Sequence, residues 1–179
     1  GQKLNITDYP PITKVSEFPT YDWKEINAMV ENGLPRKAME AIVVLQDKAI
    51  VEKNVREFWM TCKKLDELVG RADYEEKEQE EFVWKYTQKV QELSFPMNVI
   101  LHSYIVEWTD HLMDNGLLSY NDESLVWDIN GTKEKLDYNK AKQLVEYHKN
   151  QLLQNPMELM KMATEEYYPF DLAKGGPIN

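Results

Sequence analysis

Apolar residues recur along most of this chain at three- and four-residue steps, the period of an amphipathic helix. Trp23, Ile26, Met29 and Val30 form the first stripe, and Asp22 with Glu25 has the spacing of a capping box ahead of it. Asn32-Gly33 is a helix stop, with Gly33 able to turn left-handed, and Pro35 suits the first turn of the next helix. Ala38, Ala41, Ile42, Leu45, Ala49 and Ile50 make the second stripe, whose small residues permit close antiparallel packing. Asn54 breaks it. A third helix is predicted over 55–69, carrying Phe58, Cys62, Leu65 and Val69, and ends at Gly70.

A fourth helix is predicted over 74–93, with an acid-rich first turn suited to the positive helix N-terminus and with Phe82, Val83, Tyr86, Val90 and Leu93 inward. Pro96 opens a fifth, carrying Val99, Ile100, Tyr104, Ile105, Trp108 and Leu112, which ends at Gly116. The period lapses over 117–136. There Leu125, Val126, Trp127 and Ile129 before Asn130-Gly131 suit either a short hairpin or a packed loop. A sixth helix is predicted over 137–154, with Tyr138, Ala141, Leu144, Val145, His148 and Leu152 inward, and a short one over 156–162.

Prolines 10, 11 and 19 forbid a helix in residues 1–20, which read as an extended lead-in. The organisation expected is a single helical domain over 21–172 and a flexible tail over 173–179. Helices one and three start about 33 residues apart, near a tetratricopeptide period, although the signature residues of that repeat are incomplete. The fold class is therefore all-α: an irregular antiparallel array of helix pairs, a TPR-like α-α superhelix. Trp23, Ile42, Leu45, Leu65, Ile105 and Leu144 are its expected core residues.

Composition narrows the function. The 179 residues are 42% hydrophobic and 29% charged, which is globular rather than disordered. A net charge of −10 repels phosphate backbones, so nucleic acid is not expected as a partner, and it offers anionic lipid no basic patch. Only seven glycines are present, which argues against a Gly-rich nucleotide fold. No apolar run is long enough to span a membrane. Gly1-Gln2 reads as a cloning remnant ahead of a mature N-terminus, consistent with a removed leader. Asn5-Ile6-Thr7 and Asn130-Gly131-Thr132 are glycosylation sequons, triplets that arise often by chance.

No catalytic residue, cofactor site or metal site is singled out. Cys62 is the one cysteine, so no intrachain disulfide or Cys-based zinc site can form, and its place on an apolar stripe reads as a buried structural thiol. His102 and His111 are nine apart and fall on opposite or oblique helix faces; they do not make the i, i+4 pair of a helical metal site. Glu107 and His111, four apart, read as a surface pair, with shared metal binding the minor alternative. The acidic run 73–81 lacks the alternation and central Gly of a calcium loop. No serine sits in a Gly-x-Ser-x-Gly elbow. Of the five tryptophans, Trp59 and Trp84 fall off the main stripes and are the candidate partner-binding residues.

Tyr21-Asp22-Trp23-Lys24-Glu25-Ile26, followed by Glu31-Asn32-Gly33-Leu34-Pro35-Arg36-Lys37-Ala38, resembles the helical N-terminal region of the large alpha-2-macroglobulin-like proteins of Bacteroidetes. Ile100-Leu101-His102-Ser103-Tyr104 with Trp108 resembles that family's Ile-Leu-His-Ser helix. Gln154-Asn155-Pro156-Met157-Glu158-Leu159 through Glu165-Glu166-Tyr167-Tyr168-Pro169 resembles its Asn-Pro-Glu-Leu-Leu helix and Tyr-Lys-Pro ending. The three blocks stand in the family's order and cover most of 21–172. The chain departs at Asp110-His111-Leu112-Met113-Asp114, where the family is rich in aromatics, and it lacks the Cys-Gly-Glu-Gln thioester run of active macroglobulins. The resemblance implies a non-enzymatic scaffold or interaction domain of a secreted or cell-envelope protein. Such a domain would dock its downstream domains or another protein, whether as a piece of a larger protein or as a short relative. Alone, it is expected neither to cleave proteins nor to trap proteases. The alternative is a stand-alone TPR-like module that binds a peptide in an aromatic groove.

Overall fold

The computed structural model describes residues 21–115, 126–129, 132–154, 157, 170–171 and 176–177. The order is α1 (Trp23–Glu31), α2 (Pro35–Glu52), α3 (Val55–Val69), α4 (Glu76–Lys89), a 3₁₀ turn (Val90–Glu92), α5 (Met97–Asp114), β1 (Val126–Ile129), β2 (Thr132–Lys135), α6 (Tyr138–Leu153), β3 (Phe170–Asp171) and β4 (Gly176–Pro177). The fold is all-α. Among the described residues the strands form two antiparallel pairs, β1 with β2 and β3 with β4. The antiparallel pairing of β1 with β2 agrees with the hairpin alternative, with Val126 opposite Lys135 and Ile129 opposite Thr132. The lead-in over 1–20, most of the short helix over 156–162 and the first sequon lie outside the described residues.

Local chemistry sets the helix ends. Asp22 accepts from the Glu25 amide at 2.8 Å while the Glu25 carboxylate accepts from the Asp22 amide at 3.1 Å, so two orphan donors are satisfied reciprocally. Gly33 takes φ +72°, and the Leu34 amide reaches back to the Met29 carbonyl at 2.9 Å. Asn54 starts α3 by accepting from the Glu57 amide at 3.1 Å. The fourth helix begins two residues later than its acidic run suggests, because Glu75 and Glu78 form the reciprocal cap. It also tightens into the 3₁₀ turn before Leu93.

The chain divides into two compact units, 1–65 and 66–179, with the division inside α3. In the first unit α1 packs on α2. Ile26, Ala38, Ile42, Ala49, Phe58 and Cys62 are essentially inaccessible there. In the second unit α5 is central and packs on both α4 and α6. Leu101, Ile105, Tyr86, Leu112 and Ala141 are fully buried in it. Of the six expected core residues, Ile42, Leu45, Leu65, Ile105 and Leu144 are buried. Trp23 is only half-buried, because its indole N–H donates to the Glu57 carboxylate at 3.0 Å and keeps that edge of the ring near solvent. Tyr138, expected inward, is exposed: it is the first residue of α6, and Leu136 just before the Asp137 cap is buried instead.

Candidate functional site

The second unit holds a cleft of about 260 Å³ built from the end of α3, the 79–83 turn of α4 and the last two turns of α5. Val69, Phe82, Val83 and Leu112 give it apolar walls, and Asp66, Gln79, Glu107 and His111 give it polar ones. Trp108 is its most fixed wall. Its indole N–H donates to Asp66 Oδ1 at 2.8 Å, and its ring centroid lies 4.8 Å from Phe82, 5.2 Å from Tyr86 and 5.6 Å from Tyr104. Four aromatic rings therefore interlock beside one carboxylate. Partial burial pushes the Asp66 carboxyl above its usual range, while the Trp108 hydrogen bond and the positive charge of His111 pull it back. A desolvated carboxylate flanked by aromatic walls is an environment that a cation relieves.

Glu107 and His111 both line this cleft, and His111 meets the Asn115 amide, Nδ1 to Nδ2 at 3.0 Å. Among the described residues no three His, Cys, Asp or Glu side chains gather as a metal set. No described helix is long and apolar enough to cross a membrane.

Trp59 belongs to the first unit and Trp84 to the second, and both are half-buried. The Lys63 ammonium sits 5.3 Å from the Trp59 ring centroid, one turn on along α3. The Trp84 indole N–H is buried and finds no acceptor among the described residues. Neither residue lines the cleft.

Sequence reasoning did not find two buried polar groupings. Gln46 on α2 is fully buried and donates to Thr61 Oγ1 at 3.1 Å and to the Cys62 sulfur at 3.6 Å. His102 on α5 and His148 on α6 meet Nδ1 to Nδ1 at 2.7 Å, both buried. Burial lowers the pKa of His102 to about 4; burial and then the charge of His102 lower that of His148 to about 3. The spacing of 46 residues hid the pair. The one available signal was that His148 shares its stripe with Ala141, Leu144 and Val145.

Cys62 has no exposed surface. Its modification by a thiol reagent is expected to be about a thousandfold or more slower in the native chain than in the urea-unfolded chain, since access requires opening. Equal rates, followed by mass spectrometry, would show that the α2–α3 packing leaves the sulfur accessible.

Comparisons with protein-family models, characterised proteins and solved structures found no match to this chain.

Proposed function

We propose that the chain is a non-enzymatic helical scaffold and interaction domain, which docks a protein partner or a neighbouring domain by seating a cationic side chain in the Asp66–Trp108 cleft. The observation that carries this reading is the half-buried Asp66 carboxylate, held by the Trp108 indole at the edge of four packed rings. At about 260 Å³ the cleft is smaller than the usual small-molecule pocket of roughly 300–1,000 Å³. That size suits one long side chain better than a cofactor. The charge of −10 favours a basic partner and speeds its encounter.

Four groups of the kinds that serve as nucleophile or base, Cys62, Thr61, His102 and His148, are engaged in packing. Cys62 is buried under Gln46, Thr61 bonds the Phe58 carbonyl, and His102 and His148 bond each other. The blocks beginning at Tyr21, Ile100 and Gln154 support placing the domain in the N-terminal region of a secreted or envelope protein of the alpha-2-macroglobulin-like kind. A cleft walled by Phe82 and Trp108 also favours the peptide-binding alternative, with the groove at these residues rather than at Trp59 and Trp84.

The test follows the Trp108 indole N–H resonance while Nα-acetyl-lysine amide is titrated into the full chain, with Nα-acetyl-norleucine amide as the neutral analogue. The lysine probe is expected to shift that resonance and the neutral probe to leave it in place. Asp66→Asn should weaken the effect about fivefold, the value of one partly exposed charge pair. Equal shifts from both probes, or none from either, would overturn the cation site.

A further inference from the structure

We infer that the seam between α5 and α6 is an acid-opened joint: the His102–His148 contact holds the helices together while both rings are neutral, and protonating the pair drives α6 off α5.

The argument starts from the contact itself. The rings meet Nδ1 to Nδ1 at 2.7 Å, with centroids 5.0 Å apart and planes at 45°. Such a contact is a hydrogen bond only when one Nδ1 carries its hydrogen and the other offers its lone pair. One added proton makes a single imidazolium, which can still donate from its Nδ1 across the contact. A second proton, at the accepting Nδ1, sets two N–H groups against each other and two positive charges side by side in a site with almost no solvent. His148 is 1% exposed and His102 6%. His148 Nε2 is buried and has no partner among the described residues, so a proton placed there finds no acceptor. Opening restores water to both rings.

Among the described residues, no opposite charge is among the causes of either ring's shift. Tyr147 is the aromatic neighbour, its ring 6.3 Å from His102 and 5.2 Å from His148. The other charged groups of the seam, Asp110 on α5 with Glu146 and Lys149 on α6, act on one another. On the elements packed against the other side of α5, the charged groups include Lys85 and Lys89 of α4 and Glu92 of the 3₁₀ turn, and the shifts of the two rings arise from burial and from the rings' own mutual charge.

The sign follows from where the protons bind. Free imidazoles take up protons near pH 6.5, whereas the closed seam resists until about 4 and about 3. The open form therefore binds more protons below about 6.5, and the closed form loses ground as pH falls from there through both values. By about pH 5 two such rings shift the open–closed ratio roughly 10²–10³-fold relative to pH 7. Asp66 and Asp110 act the other way. Burial raises both, so acid eases the folded unit at those positions. A comparison chain without the two seam histidines separates the two effects. Opening would uncover Ala141, Leu144 and Val145, which are buried on the same stripe of α6 as His148. Acidity would thus convert a closed helical face into an apolar docking face.

The experiment is hydrogen exchange of the full chain at about pH 7 and about pH 5, read as protection factors for α6 and for α1–α2. In the parent chain α6 is expected to lose at least about a hundredfold in protection while α1–α2 changes less than tenfold. In His102→Leu/His148→Leu the α6 loss should disappear. In His148→Asn, which keeps a neutral donor or acceptor beside His102, it should fall to one ring's share, about tenfold. Should the double variant not fold, the parent's two imidazole resonances decide. Proton uptake by both below about pH 5, coincident with α6 exchange, supports the joint; uptake without exchange overturns it. Unchanged α6 protection in the parent, or the same loss in the folded double variant, also overturns it.

Discussion

Replacing Ile105 by Ala is expected to destabilise the second unit by about 2–5 kcal/mol, towards the upper end of that range. Ile105 lies midway along α5, the helix that packs on both α4 and α6, and has no exposed surface. Its neighbour one turn back, Leu101, is equally buried, and Thr109 one turn on ties its hydroxyl to the Ile105 carbonyl at 2.7 Å. The backbone is thus held on both sides and cannot easily collapse into the space left. Leu45→Ala, at a site 8% exposed, should fall near the lower end, about 2 kcal/mol. Tyr138→Ala, at a site 48% exposed, should stay within about 0.5 kcal/mol. Urea unfolding followed by far-ultraviolet circular dichroism and by tryptophan fluorescence measures all three. A change below about 0.5 kcal/mol for Ile105→Ala would mean that the α5 stripe does not face the core.

The helix ends were the most legible part of this sequence, because they depend on neighbours three or four residues away. Asp22 with Glu25, Gly33, Pro35, Asn54 and Asp137 each mark a boundary where the structure has one. The misreadings arise where a stripe is extrapolated to a helix end. Tyr138 sits at the first position of α6, where the ring turns outward towards the Lys142 ammonium, 5.5 Å from its centroid. Trp23 occupies the same position in α1 and is drawn outward by Glu57.

The cleft was legible only in fragments. Glu107 and His111 stood out as a pair, but Asp66 and Trp108 are 42 residues apart, and nothing local announces their hydrogen bond. Phe82 read as a core residue because it lies on the α4 stripe; it is half-buried because the cleft opens beside it. Trp59 and Trp84 drew notice by lying off the stripes, a property that distinguishes half-buried from buried positions without saying what covers them. The polar contacts that matter most here join different helices, and periodicity within one helix carries no information about them.

The second large effect is expected at Gln46. Gln46→Glu keeps the size and shape of the side chain and should cost about 3–5 kcal/mol at neutral pH. Gln46 is fully buried, and its Nε2 donates to Thr61 Oγ1. That hydroxyl spends its own hydrogen on the Phe58 carbonyl, so only a lone pair faces α2. An ionised carboxylate there sets oxygen against oxygen, beside the Cys62 sulfur and away from water. Gln46→Leu removes the hydrogen bond without adding charge and should cost about 1–2 kcal/mol. The two variants differ in pH response. Burial raises the folded-state pKa of the introduced carboxyl above its unfolded value of about 4.3. In the window between these values the native form holds more protons than the unfolded one, so the added penalty grows as pH rises through it. Below about 4.3 the carboxyl is protonated in both states, and its hydroxyl can donate to Thr61. The deficit of Gln46→Glu relative to the parent at the same pH should therefore shrink on acidification, whereas that of Gln46→Leu stays level. Taking the difference from the parent cancels the acid sensitivity of the His102–His148 pair in the other unit. A constant deficit for Gln46→Glu from neutral pH to about 4 would show that water reaches the α2–α3 interface and solvates the carboxylate, and that Gln46 is not the buried donor of the first unit's core.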